Sequence, residues 1–309
     1  MLSIDTYFKP GNDPVWRPTI LALPSDTHCG STSGLIPDWG CRLPTGGRYY
    51  PSSLQKLINQ QWIDCWKLIR EIRSASETTP RLIVAFNGDA VDGDHHNTSE
   101  IISRSMYLQT DIFRASLDMG FQIAGFDRAA GDRYYHIGGT PSHSGEYADF
   151  ENLVAREMGA EPAFDDLIMG RSGSHINKRI KLDINGVLFN IAHQGPSTGI
   201  RIWTRGNQIR YNLRSYYLEC IESGIRIPRY IVRSHRHNWI HPERHIGNHG
   251  TIEAFTTACF QGPTYYVHKI ISTLELSNIG MLIFLIDEFS NSAYKYPHID
   301  VKINQEVEL

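Results

Sequence analysis

Six residues of metal-ligating type directly follow short apolar runs of the chain. The runs cover residues 19–24, 82–86, 187–192 and 230–232, and the residues after them are Asp26, His28, Asp89, His193, His235 and His237. Each run has the length and the β-branched or aromatic content of a β-strand. Because ligands collect beyond the carboxyl ends of strands in an α/β sheet, we expect these two carboxylates and four imidazoles to meet at one place.

The number and spacing of these residues indicate a two-metal centre. Asp26 and His28 are two positions apart, and so are His235 and His237. In an extended segment, residues two apart point to the same side. Six ligands are more than one tetrahedral ion needs, and they suit two ions that share a carboxylate. Asp89 ends a very apolar strand and is the natural candidate for that bridging carboxylate.

The composition limits the class of protein. With 41% hydrophobic residues and a net charge of −3 in 309 residues, the chain has the content of a folded domain. The longest uninterrupted apolar stretch, residues 281–286, is far too short to span a bilayer, and the polar start does not resemble a signal peptide. Five scattered cysteines without a CxxC pair are typical of a reduced intracellular protein, so we expect a cytoplasmic location and no membrane partner.

Helical patterns separate the expected strands. We predict four helices, which run over about residues 54–72, onward from Asn97, over about 147–158 and over about 210–222. Ser52 or Ser53 can cap the first helix, Glu100 pairs with Asn97 at the start of the second, and Gly159 ends the third.

The second half of the chain is rich in strand patterns. Asn185-Gly186 within residues 181–189 is a strong hairpin signal, and residues 251–259 and 280–289 have the pattern of further strands. Strands that alternate with helices and then continue as strands predict a layered α/β fold. No repeat or linker divides the chain. We therefore expect a single domain over residues 1–309, with helical insertions at about 51–75 and 97–130.

The order of these motifs resembles the signature of calcineurin-like metallophosphoesterases. That signature runs D-x-H, G-D-x-x-D, G-N-H-[DE], a lone H and G-H-x-H. Residues 26–28 (DTH), 88–92 (GDAVD), His193 and 234–237 (SHRH) follow the same order. Ser234 replaces the last Gly, and residues 139–146 (GTPSHSGE) stand in place of the G-N-H-[DE] block. The resemblance spans residues 26–237 and implies a four-layer α/β/β/α sandwich.

The resemblance also implies two divalent ions and assigns their ligands. One site would use Asp26, His28, Asp89 and His237. The other would use Asp89, His193 and His235, together with an Asn of the signature that this chain lacks. Imidazole and carboxylate ligands serve Mn, Fe, Ni and Zn alike, so all four metals are candidates. Asp92 would orient a ligating imidazole such as that of His28.

The missing Asn leaves one ligand position open. Thr140 stands at the matching position, and Thr is a poor neutral ligand. Either water fills the place, or His143 joins the metal, or His143 is a catalytic group that protonates the leaving group or contacts phosphate. We favour the catalytic role for His143.

The resemblance implies a hydrolase. Two ions would lower the pKa of a bridging water, and the resulting hydroxide would attack phosphorus in line. We therefore expect a metallophosphoesterase that acts on phosphodiesters of nucleic acids or nucleotides. The opening D-T-H-C-G at residues 26–30 is similar to that of the family's DNA-repair nucleases. The alternatives are a phosphomonoesterase of small molecules and a metal-binding structural or regulatory module without turnover.

An arginine-rich strip of the chain gives an indication of the substrate's charge. Eight of them lie between residues 201 and 236, with only two glutamates, and such a strip suits a polyanionic substrate or, equally, a solvated surface. Arg201 and Arg205 are the candidate substrate contacts.

The remaining histidines receive structural interpretations. His136 lies mid-strand and is expected to be buried and hydrogen-bonded. Pro242, Gly247 and Gly250 argue against a helix in their segment, so we expect a loop near the site at His241, His245 and His249.

Overall fold

Strand β1 (Thr19–Leu23) lies inside a six-stranded sheet. The computed structural model describes residues 17–94, 98–145, 149–163, 173–196, 202–270, 275–287 and 292–302. From edge to edge the sheet runs β14 (Ser292–Lys295), β13 (Leu282–Ile286), β1, β4 (Arg81–Asn87), β5 (Arg133–Ile137) and β6 (Ile176–Asn177). Strands β1, β4, β5 and β6 are parallel, whereas β13 and β14 are antiparallel to their neighbours. The carboxyl ends of β1, β4 and β5 therefore lie at the same edge of the sheet.

A second sheet has five strands. Its order is β10 (Ile240–Gly247), β11 (Gly250–Thr256), β9 (Tyr230–Arg233), β8 (Val187–Ala192) and β7 (Ile180–Ile184). Strands β8, β9 and β11 are parallel, and β7 pairs with β8 as the predicted hairpin. Asn185 and Gly186 both have positive φ, 51° and 83°, as a two-residue hairpin turn requires. Two small ladders complete the strands, β2 (Cys41–Arg42) with β3 (Arg48–Tyr49) and β12 (Glu275–Gly280) with β15 (His298–Lys302).

The described residues form six α-helices. They are α1 (Ser53–Ala75), α2 (Met106–Ala124), α3 (Pro141–Ser144), α4 (Asp149–Glu157), α5 (Asn207–Glu222) and α6 (Tyr265–Ile270). Helix α1 begins at a capping box of Ser52 and Gln55, as the sequence predicts. The chain leaves α4 through Gly159 in the left-handed conformation, and α5 begins three residues before its predicted start.

The predicted start of α2 is wrong. The helix begins at Met106, where Ser105 caps it by accepting a hydrogen bond from the N–H of Leu108. Asn97 itself lies outside the described residues. The segment before Ser105 pairs with the loop after β1 instead, because Thr32 donates to the carbonyl of Glu100 and Ile102 donates to that of Gly30. Tertiary pairing thus takes the backbone groups that a longer helix would have used.

Three apolar clusters hold the elements together. The first lies between helices α1, α2 and α4 and one face of the six-stranded sheet, and its largest side chains include Trp62 and Trp66. The second fills the space between the two large sheets, with Phe189 and Phe284 in edge contact. The third packs α5 on the outer face of the five-stranded sheet. Strand β1 is buried at all five positions because both faces of its sheet are covered.

The fold is mixed α/β, as the sequence predicts, with one correction in the second half. The segment of His241, His245 and His249 is not a loop, since β10 and its turn to β11 contain it. Pairing is irregular between Ile240 and Glu243, on either side of Pro242, which has no N–H to donate. The ring of His245 packs against Tyr217 of α5. None of the described helices is long and apolar enough to cross a membrane.

Candidate metal centre

Loops from both large sheets meet at one edge of the molecule. The six-stranded sheet contributes the loops after β1, β4 and β5, which carry Asp26, His28, Asp89, Thr140 and His143. The five-stranded sheet contributes the loops after β8 and β9, which carry His193, His235 and His237. All six expected ligands are thereby brought together, three from each sheet. Among the described residues, three groups of His and Asp side chains have ligand atoms within 4.8 Å of one another.

The side chain of Asn87, the last residue of β4, connects the two sheets at this edge. Its amide donates to the carbonyl of Ala192 at 3.1 Å and to the hydroxyl of Ser234 at 2.6 Å. Its backbone carbonyl accepts a hydrogen bond from Nδ1 of His193 at 2.6 Å. Ser234, which replaces the Gly of the signature, has no left-handed φ and is fully buried. The substitution is therefore accommodated without backbone strain.

Five of the expected ligands have left-handed backbones. The φ angles are positive, between 42° and 70°, at Asp26, His28, Asp89, His235 and His237. The D-x-H segment (residues 26–28) and the H-x-H segment (residues 235–237) are therefore not extended. The expectation that their paired side chains point to the same side of an extended segment is wrong. Each residue instead turns sharply after its strand. Such conformations each cost roughly 1–3 kcal/mol and cluster at functional sites.

The first group contains Asp26, His28 and His237. Nε2 of His28 lies 3.2 Å from Nε2 of His237, which in turn lies 3.3 Å from Oδ1 of Asp26. Two nitrogen ligands of one tetrahedral ion, each bonded at about 2.05 Å, are separated by about 3.3 Å. The spacing of the two ring nitrogens fits an ion between them.

The second group contains Asp89, His193 and His235. Oδ2 of Asp89 lies 2.9 Å from Nε2 of His193 and 3.7 Å from Nδ1 of His235. The same oxygen lies 3.9 Å from Nε2 of His28, which belongs to the first group. Asp89 is therefore placed between the two groups.

The donors and acceptors in the two groups are arranged as cation binding requires. Nδ1 of His193 donates its hydrogen to Asn87, so Nε2 of the neutral ring carries a lone pair that faces the carboxylate of Asp89. Two acceptors 2.9 Å apart need a proton or a metal ion between them. Oδ1 of Asp26 is buried, forms no hydrogen bond of good geometry among the described residues, and has Nε2 of His237 at 3.3 Å. A divalent ion in each group would satisfy both arrangements.

The charges of the site are strongly coupled. Burial alone would raise the pKa of Asp89, but His193 and His235 outweigh it and hold this pKa well below its ordinary value. Burial would lower the pKa of His193, yet the carboxylates of Asp89 and Asp26 raise it to about 9. The metal-free site therefore holds a proton on His193, at a position where an ion would bind.

The first group shows the same coupling with one difference. Burial, and after it His143 and His237, hold the pKa of His28 well below its ordinary value, so this ring is neutral. For His237, burial is outweighed by Cys259 and Asp26, which raise its pKa well above the ordinary value. A neutral ring and a protonated ring thus face each other in the absence of metal.

Asp92 and His143 form a second layer around His28. Nδ1 of His28 donates to the carboxylate of Asp92 at 3.1 Å, as the sequence predicts for an orienting residue. Nδ1 of His143 donates to the backbone carbonyl of Asp92 at 2.7 Å, and its Nε2 lies 4.0 Å from Oδ2 of Asp89. The ring of His143 packs edge-on against that of His28. His143 is thus grouped with His28 and Asp92, and not with Asp89, His193 and His235.

Sequence reasoning missed Glu151. This residue of α4 is completely buried, and its carboxylate accepts hydrogen bonds from the N–H groups of Ala90 and Gly139 at 2.7 and 2.8 Å. Each of these residues adjoins a site residue, Asp89 or Thr140. The sequence does contain a signal for it. Glu151 lies on the apolar face of its helix, in register with Val154 and Ala155, where an acidic residue is unexpected.

Three of the eight arginines in the strip pair with acidic residues. Arg210 pairs with Glu243, Arg226 with Asp183, and Arg229 with Glu253. Arg233 is buried and donates to the backbone and side-chain oxygens of Asn190. Of the two expected substrate contacts, Arg205 is half-buried in the turn before α5, and Arg201 lies outside the described residues.

One further sequence expectation is confirmed. His136 is fully buried in β5, and its Nδ1 hydrogen-bonds to the hydroxyl of Tyr134 at 2.6 Å. Cys29 is buried in the cluster between the helices and the six-stranded sheet, and burial raises the pKa of its thiol to about 12. This thiol is not a nucleophile of the site.

Comparisons with known proteins give a structural likeness. No protein-family profile matches the chain, and no curated protein sequence matches it. The fold aligns with the crystal structure of Chaetomium thermophilum Vps29 at a TM-score of 0.32 and 8% sequence identity, over 92% of this chain and 99% of that one. We draw nothing about the chemistry of this chain from a likeness at that level.

Proposed function

We propose that this chain is a metal-dependent phosphoesterase of the calcineurin-like type, with two divalent ions. The observation that carries the proposal is the pair of His/Asp groups on either side of Asp89. Asp26, His28 and His237 would hold one ion, and His193 and His235 the other, with Asp89 between them. When bound, two such ions supply an activated water and neutralise the charge that develops on a phosphoryl group.

The layering of the molecule supports this class. The three apolar clusters separate, in order, the helices α1, α2 and α4, the six-stranded sheet, the five-stranded sheet and helix α5. We interpret this as a four-layer α/β/β/α sandwich in a single domain. Helices α1 and α2 lie within the segments, about residues 51–75 and 97–130, for which the sequence predicts helical insertions.

The residues of the chain have separable roles in the proposed reaction. Asn87 and Asp92 fix the rings of His193 and His28 by accepting their Nδ1 hydrogens, so that Nε2 of each ring faces the site. His143 donates its Nδ1 hydrogen to a backbone carbonyl, which leaves Nε2 directed toward Asp89. A proton at this Nε2 would be placed to reach a leaving-group oxygen, which is the catalytic role we assign to His143.

The substrate class follows from charge. A phosphate ester is an anion, and Arg236, exposed between His235 and His237 in the chain, is the basic residue best placed to meet it. We propose phosphodiesters of nucleotides or nucleic acids as the first class. The ion pairs of Arg210, Arg226 and Arg229 reduce the support that the arginine strip gave to a long polyanion. Small phosphomonoesters are therefore the second class.

Two model substrates test the proposal. The protein is assayed on bis-p-nitrophenyl phosphate and on p-nitrophenyl phosphate with Mn²⁺, Ni²⁺, Zn²⁺ and Fe²⁺, and metal content is measured in parallel. We expect close to two ions per chain, faster turnover of the diester, and loss of at least one ion in Asp89→Asn. Faster turnover of the monoester would reverse the substrate order. Binding of two ions without turnover of either ester would identify a non-catalytic metal-binding module.

A further inference from the structure

The hydroxyl of Thr140 lies inside the second group of ligands. Its Oγ1 is 3.0 Å from Oδ2 of Asp89, 3.3 Å from Nε2 of His193 and 3.1 Å from Nδ1 of His235. These three atoms are the ligand atoms of that group. The position that the signature gives to Asn is therefore filled by a protein oxygen at ligand spacing.

The hydroxyl of Thr140 does not form the helix cap that is common for a threonine in this position. Thr140 is the N-cap residue of α3, and an N-cap hydroxyl commonly accepts a hydrogen bond from the first turn of its helix. Thr140 makes no such side-chain cap, with φ of −77° and ψ of 133°. Its side chain is directed to the His and Asp atoms instead.

The hydrogen count around Thr140 leaves lone pairs facing one another. The hydroxyl has a single hydrogen, and Oδ2 of Asp89 can accept it. Metal binding requires the neutral ring of His193, and in that form Nε2 has no hydrogen, because Nδ1 of the ring donates to Asn87. The oxygen of Thr140 and this nitrogen then present lone pairs to each other at 3.3 Å. A cation between them resolves the contact.

The backbone holds Thr140 firmly in this place. The N–H of Thr140 donates to Oδ1 of Asp89 at 2.5 Å, so one carboxylate contacts both the backbone and the side chain of the residue. The carboxylate of Glu151 binds the N–H groups of Gly139 and Ala90, and so ties the two loops together. The hydroxyl is thus placed before any ion binds.

We propose that Thr140 is a ligand of the second ion, through its hydroxyl oxygen, alongside Asp89, His193 and His235. This inference rests on the two-ion centre of the proposed function. Threonine and serine hydroxyls do serve as ligands of hard divalent ions such as Mg²⁺ in phosphate-binding loops. The hydroxyl takes the open position, so His143 is not needed as a ligand and remains beside Asp92.

The test is a metal titration. Metal-free wild-type protein and the variants Thr140→Val, Thr140→Ala and Thr140→Ser are titrated with Mn²⁺ alone, and bound Mn²⁺ is counted after gel filtration. Thr140→Val keeps the shape of the side chain without the hydroxyl, and Thr140→Ser keeps the hydroxyl. Ser142→Ala, an exposed change in the same short helix, is the matched control. Circular dichroism and thermal midpoints verify that each variant is folded.

We expect two ions in wild type, Thr140→Ser and Ser142→Ala. We expect one retained ion in Thr140→Val and Thr140→Ala, with the affinity for the other lowered at least tenfold. If both variants without the hydroxyl bind two ions with wild-type affinity, the assignment of Thr140 is wrong while the proposed function stands. If wild type binds fewer than two ions, the two-ion centre and the assignment of Thr140 fail together. If Val and Ala variants both fail to fold, a Thr140→Ser variant that binds only one ion overturns the assignment, and one that binds two supports it.

Discussion

Oε2 of Glu151 accepts a hydrogen bond from the N–H of Gly139 at 2.8 Å, beneath the candidate metal centre. Its other oxygen accepts from the N–H of Ala90 at 2.7 Å, and the side chain is completely buried. One carboxylate therefore binds the two loops that present Asp89 and Thr140. The residue touches neither expected ion, so it acts by positioning.

Glu151→Gln is expected to weaken both the fold and the site. A glutamine offers one oxygen and one NH₂ group, and the NH₂ group would face a backbone N–H in the buried pocket. Loss of one buried hydrogen bond with an unsatisfied donor costs about 1–3 kcal/mol. The free energy of unfolding and the Mn²⁺ affinity of the folded protein measure the two effects separately.

Glu157→Gln on the same helix is the matched control. Glu157 is exposed and pairs with Arg114 at the surface, an interaction worth about 0–1 kcal/mol. Its replacement should leave Mn²⁺ affinity at the wild-type value. Equal effects of the two variants on Mn²⁺ affinity would show that Glu151 has no special role at the site.

Asp92→Asn is expected to lower metal affinity without removing a ligand. The carboxylate of Asp92 accepts the Nδ1 hydrogen of His28 and a hydrogen bond from Gln261 at 3.3 Å. Loss of such an outer partner typically costs about 10- to 100-fold in metal affinity or activity. Isothermal titration with Mn²⁺ measures it. Asp94→Asn, an exposed change two residues away, is the control, and an equal loss there would contradict the role of Asp92.

His143→Asn is expected to separate turnover from metal binding. His143 donates to the carbonyl of Asp92 and lies 4.0 Å from Oδ2 of Asp89, outside the ligand sets of the two proposed ions. Loss of a proton-transferring group typically lowers the rate by about 10²- to 10⁴-fold. Ester hydrolysis and bound metal are measured on the same preparation. Loss of an ion together with turnover would instead make His143 a ligand.

The metal-free protein is expected to lose stability between about pH 6.5 and pH 9. The pKa of His193 is raised to about 9 in the folded protein, where Asp89 and Asp26 outweigh burial, against an ordinary value of 6.5. A histidine with a raised pKa contributes stability that is complete below the unfolded pKa and disappears as the pH rises through the folded one. The pKa of His237 is raised as well and acts in the same direction.

Thermal midpoints in the presence of EDTA, recorded from pH 6 to pH 9.5, check this expectation. The lowered pKa of His28 does not interfere, because its contribution changes only below about pH 6.5. With Mn²⁺ the midpoint should depend less on pH, since the metal replaces the protons on these rings. A midpoint in EDTA that stays constant or rises over this range would contradict the charge assignment of His193.

Much of the candidate site follows from the sequence because strand ends are easy to recognise. An apolar run that stops at Asp89 or His193 places that residue at a sheet edge, whatever the details of the loop. The left-handed backbones at Asp26 and His235 could not be predicted in this way. A positive φ is uncommon for any residue other than Gly, although Asp and His adopt it more often than most, and strand patterns give no signal for it.

The fold was predictable where local chemistry decides it. Asn185-Gly186 specifies its own turn, and Ser52 with Gln55 specifies the start of α1. The start of α2 was missed because residues 98–104 pair with the loop after β1, a contact between parts of the chain about 70 residues apart. Such pairing leaves no local signal in the sequence.

The two groups proposed to hold ions each draw side chains from both large sheets. Asp26 and His28 face His237 across the gap, and Asp89 faces His193 and His235 in the same way. An ion in either group would link the two large sheets. Part of its binding free energy would therefore contribute to the free energy of folding. Without the ions, this edge would be held by hydrogen bonds such as those of Asn87 with Ala192 and Ser234.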